Sequence, residues 1–215
     1  MKKVKLWLAI IISVVPVEYM RRLLYKTLLG YSIDNNSRIG FMTIIAVDSA
    51  DIRAANIGKF NKFVGPYRLR IGAGASMGRD NVISCGAWVA EKRFAKDGYG
   101  RFCHLGNGSV VTSSHFIDPT GGFNLGSQSW IAGSHSQFWT HGIGVKDRSI
   151  SIGSDCYIGS ASRFAPGSSI GSNNTIGLGS VVVGQHNEEC ALIAGVPAKV
   201  IHANYNWRER YTQSS

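Results

Sequence analysis

The sequence predicts an all-β fold, a parallel β-helix in which short strands wind into stacked coils, with a short helical segment in front. The main observation is a repeat between residues 151 and 183. Its bulky apolar members follow in steps of six: Ile152, Ile158, Phe164, Ile170, Ile176 and Val182. Five of these six residues are followed by Gly or Ala. The second observation is that 26 Gly and only 5 Pro among 215 residues suit glycine turns better than a disordered chain.

A step of six matches neither the 3.6 period of a helix nor the 2.0 period of a strand, so it indicates a repeat architecture. Three short strands per coil satisfy the pattern. Each strand points one aliphatic side chain inward and turns at a small residue, and stacked coils bury a core that no single repeat could bury.

The register extends over most of the chain. It begins at Ile33 and, with shifts, continues to Val182, but it fails between residues 90 and 104, 119 and 123, and 134 and 149. We therefore divide the chain into a helical segment (1–30), a β-helix domain (31–201) and a C-terminal tail (202–215). Breaks in a regular solenoid are where function tends to lie, because these loops leave the packed wall.

The first thirty residues differ from the rest. Lys2, Lys3 and Lys5 precede an apolar run of about twelve residues, too short for the roughly twenty that span a bilayer. A second helical stretch, residues 17–29, carries further basic residues and ends before Gly30, a suitable C-cap. Two compatible interpretations follow: a cap that closes the solenoid, and an interfacial helix on an anionic membrane.

The amino-acid composition narrows the possible binding partners and the cellular compartment of the protein. The formal charge of +10 favours acidic partners, but no basic cluster interleaves with aromatic residues as a nucleic-acid groove requires. The four cysteines form no CxxC pair and are typical of a reducing compartment. We therefore expect a cytoplasmic protein, at the inner face of the cytoplasmic membrane if the helix is interfacial. Gly72–Gly78 is not a dinucleotide fingerprint, because no helix signal follows it.

The break at residues 134–149 contains the candidate catalytic residues. His135 and His141 lie six residues apart, and histidine is the usual general base at neutral pH. One step of six turns the coil by a third, so the two histidines should project from neighbouring faces and are poorly placed to share one metal or one proton within a subunit. His115 lies in a similar break and is a third candidate. The sequence reveals no acidic partner that would orient these histidines.

Three features together carry a resemblance: the six-residue register, the block APGSSIGSNNTIGLGSVVV (165–183) and the ending IAGVPAKVI (193–201). Over residues 33–201 the chain resembles the bacterial hexapeptide-repeat acyltransferases, and most closely the sugar and polysaccharide O-acetyltransferases. It lacks the large helical N-terminal domain of serine acetyltransferases, and its last loop reads GQHNEEC (184–190) where the family usually has a Thr-Lys-Asp-Ile-Pro-like sequence.

The resemblance implies a left-handed coil and a homotrimer with acetyl-CoA in the groove between subunits. It also implies direct acetyl transfer to a sugar or glycan hydroxyl, with His141 of the WTHG segment as base or His135 in its place. The residues expected to bind the cofactor are Gly159, Ser160, Gly177 and Ser180 for the thioester arm, and Lys199 for the phosphates. No Ser, Cys or Lys stands in a nucleophile motif, so an acyl-enzyme is not expected.

Two alternatives remain open at this point. A γ-type carbonic anhydrase has the same fold and would recruit His115, His135 and His141 to zinc across the trimer interface, although the PAKVI ending is uncommon in that branch. A non-catalytic β-helix scaffold is the other. The acceptor, its hydroxyl and the size of the acyl group are also open.

Overall fold

The computed structural model describes residues 3–209, except for the side chain of Lys3. The sequence expectations for Lys2 and for the tail beyond residue 209 lie outside these described residues. Two helices, α1 (Lys3–Ser13) and α2 (Glu18–Leu29), are followed by short strands. The strand bounds are β1 (Ser32–Ile33), β2 (Arg38–Ile39), β3 (Ile44–Ile52), β4 (Asn56–Ile57), β5 (Lys62–Ile71), β6 (Ser76–Met77), β7 (Val82–Ser84), β8 (Phe102–Leu105), β9 (Val110–Ser113), β10 (Phe116–Ile117), β11 (Phe123–Leu125), β12 (Trp130–Ser134), β13 (Gln137–Phe138), β14 (Ile150–Ile152), β15 (Tyr157–Ile158), β16 (Arg163–Phe164), β17 (Ser169–Ile170), β18 (Thr175–Ile176), β19 (Val181–Val182), β20 (Gln185–His186), β21 (Leu192–Gly195) and β22 (Ala198–His202).

The strands form a parallel β-solenoid with three faces. The first face contains β7, β10, β13, β16 and β19 together with the first halves of the long strands β3 and β5. The second contains β1, β8, β11, β14, β17 and β20 with the second halves of β3 and β5. The third runs β2-β4-β6-β9-β12-β15-β18-β21, and β22 closes it in antiparallel pairing.

The core is the column of inward side chains that the repeat predicts. All six residues of the regular block, Ile152 to Val182, are at most 4% exposed. Ile152 pairs with Ile170 and Ile158 with Ile176, so one coil takes 18 residues, three steps of six. A Cβ on Gly153 would come within 2.6 Å of the Ser172 main-chain nitrogen, which explains why five of the six inward residues are followed by Gly or Ala. The predicted register is confirmed.

Two of the predicted breaks differ in extent. The break expected at 90–104 lies at 85–101: these residues leave the wall as an excursion with two 3₁₀ helices, Ala87–Ala90 and Lys92–Phe94, and residues 102–104 belong to β8. The break at 134–149 is shorter than expected, because β13 keeps the wall intact and buries Phe138. A bulge in β12 between Ile131 and Ser134 delays the register by one residue there, and only residues 139–149 form a loop.

The two helices pack against the first coils. The Tyr25 hydroxyl is buried, donates to the Thr43 carbonyl at 2.8 Å and accepts from the Ile45 amide at 3.2 Å. Arg21 is also buried, and its Nη2 donates to the Ile39 carbonyl at 2.8 Å. Gly30 ends α2 with φ +68°, the left-handed cap expected there. These contacts close the first coil of the solenoid.

Basic side chains of this segment are largely engaged with the protein. Lys5 Nζ donates to the Val47 carbonyl at 2.7 Å, and Arg22 donates to the Ser37 carbonyl at 2.8 Å. Among the described residues no helix is long and apolar enough to cross a bilayer. The outward side of the segment is instead apolar, with exposed Val4, Trp7, Ile11, Val14, Tyr19, Met20, Leu23 and Leu28.

The segment after β22 is more ordered than a simple tail as far as residue 209. Trp207 is 7% exposed and packs on the third face, with ring centroids 5.3 Å from Trp130 and 5.2 Å from Tyr157. Its Nε1 donates to the Asp155 carbonyl at 2.7 Å. The C-terminal segment therefore packs across the outer surface of the third face.

Candidate functional site

The candidate catalytic site lies at the edge of the solenoid where the first face turns into the second. His141 follows β13 at this edge, and Asp118 follows β10 one coil nearer the N-terminus. The Asp118 amide donates to the Phe138 carbonyl at 2.9 Å, which holds the two turns in contact.

Asp118, which the sequence pattern did not reveal, is the acidic partner of His141. Asp118 Oδ2 lies 2.6 Å from His141 Nδ1; the Asp118 side chain is 2% exposed and that of His141 is 41% exposed. The carboxylate also accepts from the Thr120 amide at 3.0 Å, the Thr120 hydroxyl at 2.5 Å and the Thr140 amide at 3.0 Å. The two amides can only donate to this carboxylate, and His141 joins them as a donor in the tautomer that carries its proton on Nδ1. This tautomer leaves the Nε2 lone pair able to accept a proton.

An aromatic wall borders the exposed imidazole. The Trp88 and His141 rings lie 5.8 Å apart at 64°, and Trp88 also contacts Phe94 at 5.0 Å and Tyr99 at 5.4 Å. Arg148 lies over the Tyr99 ring at 4.5 Å. The excursion at 85–101 and the loop at 139–149, two separate breaks in the sequence, therefore meet at one site.

The nearby thiol is unreactive. Burial raises the pKa of Cys85 to about 12, and the negative charge of Asp118 acts in the same direction. The nucleophile of a thiol is its thiolate. Cys85 is therefore protonated at neutral pH, in keeping with the absence of a nucleophile motif in the sequence.

His115, the third candidate, is a structural histidine. It is 1% exposed, its Nδ1 accepts from the Ser136 amide at 3.1 Å, and its Nε2 lies 2.9 Å from the Thr112 hydroxyl. Burial, with a smaller effect of His135, lowers its pKa to about 4. Within the described part of the chain, no three His, Cys, Asp or Glu side chains converge to hold a metal ion.

His135 lies on a different edge, where the third face turns into the first, as the step of six predicts. It is exposed, has φ +64°, and its Nδ1 lies 2.7 Å from the Ser134 hydroxyl. Within one chain it is not part of the His141–Asp118 site.

The residues expected to bind the cofactor share the edge of His135. The Ala161 amide donates to the Ser134 carbonyl, and the Gly179 amide to the Ser160 carbonyl, both at 2.8 Å, so successive turns stack in one column. A Cβ on Gly159 would come within 2.7 Å of the Leu178 amide nitrogen. Only a small residue at position 159 allows the coils to approach this closely.

The column continues to the C-terminal end of the solenoid. Ser180 Oγ accepts from the Gly195 amide at 3.2 Å, and a Cβ on Gly177 would lie 2.7 Å from the Ala194 Cβ. Lys199 is exposed and pairs with Ala194 across the β21–β22 hairpin. The structure thus brings the five expected cofactor residues onto one edge and leaves His141 on another.

Comparison with known proteins gives one curated relative and several similar structures. No family model matches the chain. It is 27% identical over 158 residues to the bifunctional protein GlmU of Bifidobacterium longum, an alignment that covers 74% of this chain and 29% of GlmU. The chain therefore spans less than a third of the relative's length.

Among solved structures, a hexapeptide transferase family protein from Anaplasma phagocytophilum aligns with a TM-score of 0.53 at 15% identity, covering 86% of this chain and 85% of the other. This similarity shows the fold, a parallel β-solenoid of hexapeptide repeats. The polysialic-acid-specific acetyltransferase NeuO has a TM-score of 0.49 at 17% identity and covers 82% of both chains. A hexapeptide-repeat acetyltransferase from Vibrio cholerae, solved with acetyl-CoA, has a TM-score of 0.41 at 18% identity and covers 93% of this chain and 85% of the other.

Proposed function

We propose that the protein is an acetyl-CoA-dependent O-acetyltransferase that acts on a hydroxyl of a sugar or of a cell-surface polysaccharide precursor. The observation that carries the proposal is the His141–Asp118 pair. A half-exposed imidazole, held through Nδ1 by a buried carboxylate, is the arrangement a general base needs.

The proposed reaction uses this geometry. His141 Nε2 takes the proton of the acceptor hydroxyl while the hydroxyl oxygen attacks the thioester carbonyl. The new C–O bond forms, the C–S bond breaks, and the departing CoA thiolate recovers the proton from His141. Asp118 stabilises the imidazolium in between, and a main-chain amide stabilises the developing oxyanion.

Acetyl-CoA would lie along the column of stacked turns, with its arm against Gly159, Ser160, Gly177 and Ser180 and its phosphates near Lys199. This column and His141 are on different edges of one chain. A complete site therefore requires the edge of a neighbouring subunit, which supports a homotrimer. Light scattering should give about three times the 23.3 kDa chain mass, and a monomer at micromolar concentration would contradict the shared site.

The surroundings of His141 suit a sugar acceptor. Trp88 and Tyr99 belong to the aromatic wall, and Trp139, two residues from His141, is 41% exposed. Aromatic rings offer broad apolar surfaces with a polar atom at one end. The C–H faces of a pyranose ring pack on such surfaces while its hydroxyls remain free to react.

The exposed side of α1 supports contact with the inner face of the cytoplasmic membrane. Val4, Trp7 and Ile11 of α1 and Val14 directly after it follow one another in steps of three and four and are 48–67% exposed, so they form one apolar stripe. An amphipathic helix of this kind inserts its apolar face at the lipid headgroup boundary.

The test is consumption of acetyl-CoA by the purified protein with nucleotide sugars, lipid-linked glycans and free sugars as acceptors. Acceptor-dependent release of CoA, with an acetylated product seen by mass spectrometry, is expected. Failure to bind CoA or to acetylate any of these acceptors would overturn the proposal.

A further inference from the structure

A basic groove on the second face is not used by the proposed reaction. It has a volume of about 660 Å³ and is lined by Arg53, Arg68, Arg70 and His104, with Gly30 and Ser32 at its end nearest α2. A smaller cavity of about 250 Å³ adjoins it and shares Arg53, Arg70 and His104. The combined space is within the range of ligand sites in proteins.

Strand register brings these side chains together. Asp51, Arg70 and His104 occupy outward positions that pair directly across β3, β5 and β8, so they lie on successive strands about 4.8 Å apart. Arg68 occupies the outward position two residues before Arg70. Residues from three distant parts of the sequence therefore form one basic surface.

The charges in the groove do not balance. Asp51 lies 2.9 Å from Arg53 and 3.6 Å from Arg70. Asp34 is a further carboxylate near Arg53. Arg68 donates to the Gly100 carbonyl at 3.3 Å. Arg53 and Arg70 remain 59% and 61% exposed, so their guanidinium groups can bind a further anion.

His104 gives a second indication of excess positive charge in the groove. It is half-buried, and its pKa is lowered first by burial and then by the positive charges of Arg70 and Arg68. Both guanidinium groups therefore act on this ring, and a bound anion would relieve their repulsion of its protonated form.

We propose that the groove binds the phosphate or diphosphate group of the acceptor, so that the acceptor is a phosphorylated sugar. This inference rests on the proposed acetyl transfer for the identity of the ligand as an acceptor. Arg is the residue best suited to phosphate, because its planar guanidinium donates two parallel hydrogen bonds to phosphate oxygens.

The position of the groove agrees with this role. One end lies at Gly30 and Ser32, beside the helical segment that carries the apolar stripe. Arg68 contacts Gly100, which belongs to the same excursion that places Trp88 against His141. The groove therefore lies between the helices and the candidate catalytic site, where either a lipid-linked or a nucleotide-linked sugar phosphate could be held.

The test is calorimetric titration with inorganic pyrophosphate, in parallel with binding to phosphatidylcholine vesicles that contain phosphatidic acid. Arg53→Gln and Arg70→Gln should each weaken pyrophosphate binding by about tenfold or more, because each removes a charge-assisted contact. Arg70→Lys should recover part of the loss. Arg38→Gln, an exposed arginine on the third face, is the matched control and should bind as wild type.

A second readout follows His104 by NMR. Pyrophosphate should raise the pKa of His104, since a bound anion favours the imidazolium.

Absence of pyrophosphate and vesicle binding, or equal affinities in Arg53→Gln, Arg70→Gln and wild type, would overturn the proposal. So would a change in oligomeric state of these variants, which would make the groove a subunit interface. A raised KM for acetyl-CoA would assign the groove to the cofactor instead.

The two arms distinguish the source of the phosphate. Groove-dependent binding of vesicles alone would assign the site to a lipid phosphate, and binding of pyrophosphate alone to a soluble one. Neither the pyrophosphate titration nor the vesicle assay contains acetyl-CoA, so both are independent of the proposed acetyl transfer. If the protein binds pyrophosphate in the groove but acetylates no acceptor, the proposed acetyltransferase activity is refuted. If the groove variants acetylate a phosphorylated sugar as well as wild type does, the proposed role of the groove is refuted.

Discussion

Asp118 Oδ2 and His141 Nδ1 lie 2.6 Å apart, although 23 residues separate them in the chain. The contact joins two successive turns on one edge of the solenoid, and the carboxylate is buried under the imidazole that it orients. With Nδ1 as the donor in this contact, Nε2 is the ring nitrogen that can act as a base.

Replacing Asp118 by Asn should lower kcat by about 10²–10⁴, because the variant lacks the charge that stabilises the imidazolium and orients the ring. The KM for acetyl-CoA should change little, since the cofactor column lies on another edge. Steady-state kinetics check this result. Asp155→Asn, which loses an ion pair with Arg208 away from this edge, is the control and should keep wild-type turnover. Equal kcat values for the two variants would contradict the role of Asp118.

His115 should make the stability pH-dependent. Its pKa is about 4 in the folded chain and near 6.5 when unfolded. Between these values the unfolded state binds a proton that the folded state does not, so the free energy of unfolding falls as the pH drops from 6.5 towards 4. The loss is at most about 3 kcal/mol from this group.

His115→Gln keeps a donor and an acceptor but does not titrate, so its stability should depend less steeply on pH in that window. Urea unfolding at fixed protein concentration, at several pH values, gives the difference. Parallel curves for wild type and variant would show that His115 does not contribute.

The wall residues should be sensitive to truncation. Ile158 and Ile170 are 0% and 4% exposed, and Ile→Ala at such sites costs about 2–5 kcal/mol through lost burial and the cavity left behind. Arg163 points outward on β16, so Arg163→Ala should stay within about 0.5 kcal/mol. Denaturation midpoints that rank the three variants in the opposite order would refute the register.

The apolar stripe on α1 should mediate membrane contact. Trp7→Glu and Ile11→Glu, at sites 65% and 61% exposed, should reduce sedimentation with anionic vesicles while leaving the fold intact. Ile143→Glu is the control, because Ile143 is fully exposed in the loop at 139–149, away from the helices. If the helix variants sediment as wild type does, α1 only caps the solenoid.

The sequence predicted the inward residues well because their period is a local property. From Ile152 to Val182 every coil takes 18 residues, so the pattern itself gives the register. Asp118 was missed because its coil is longer. Ile117 pairs with Phe138, 21 residues on, since extra residues enter at 118–123 and at the β12 bulge. Had the register been extended to pair Ile117 with Phe138, Asp118 would have been placed one coil before the turn at 139–141, next to His141.

Other features could not be read from a periodic pattern at all. The contact of Trp88 with His141 depends on the path of the excursion at 85–101, and the packing of Trp207 on Trp130 on the return of the C-terminal segment. Neither path leaves a periodic trace in the sequence. The basic groove likewise depends on which outward positions pair across β3, β5 and β8.

The most direct test of the central claim is the turnover of His141→Ala in the acetyl-transfer assay, beside His135→Ala. We expect kcat of His141→Ala to fall by about 10²–10⁴ with CoA affinity nearly unchanged, because the proton moves only in the transition state. In His135→Ala, whose site lies on the other edge, kcat should fall less. Near-normal turnover of His141→Ala together with loss of activity in His135→Ala would exchange the two roles, and normal turnover of both would contradict the general-base mechanism.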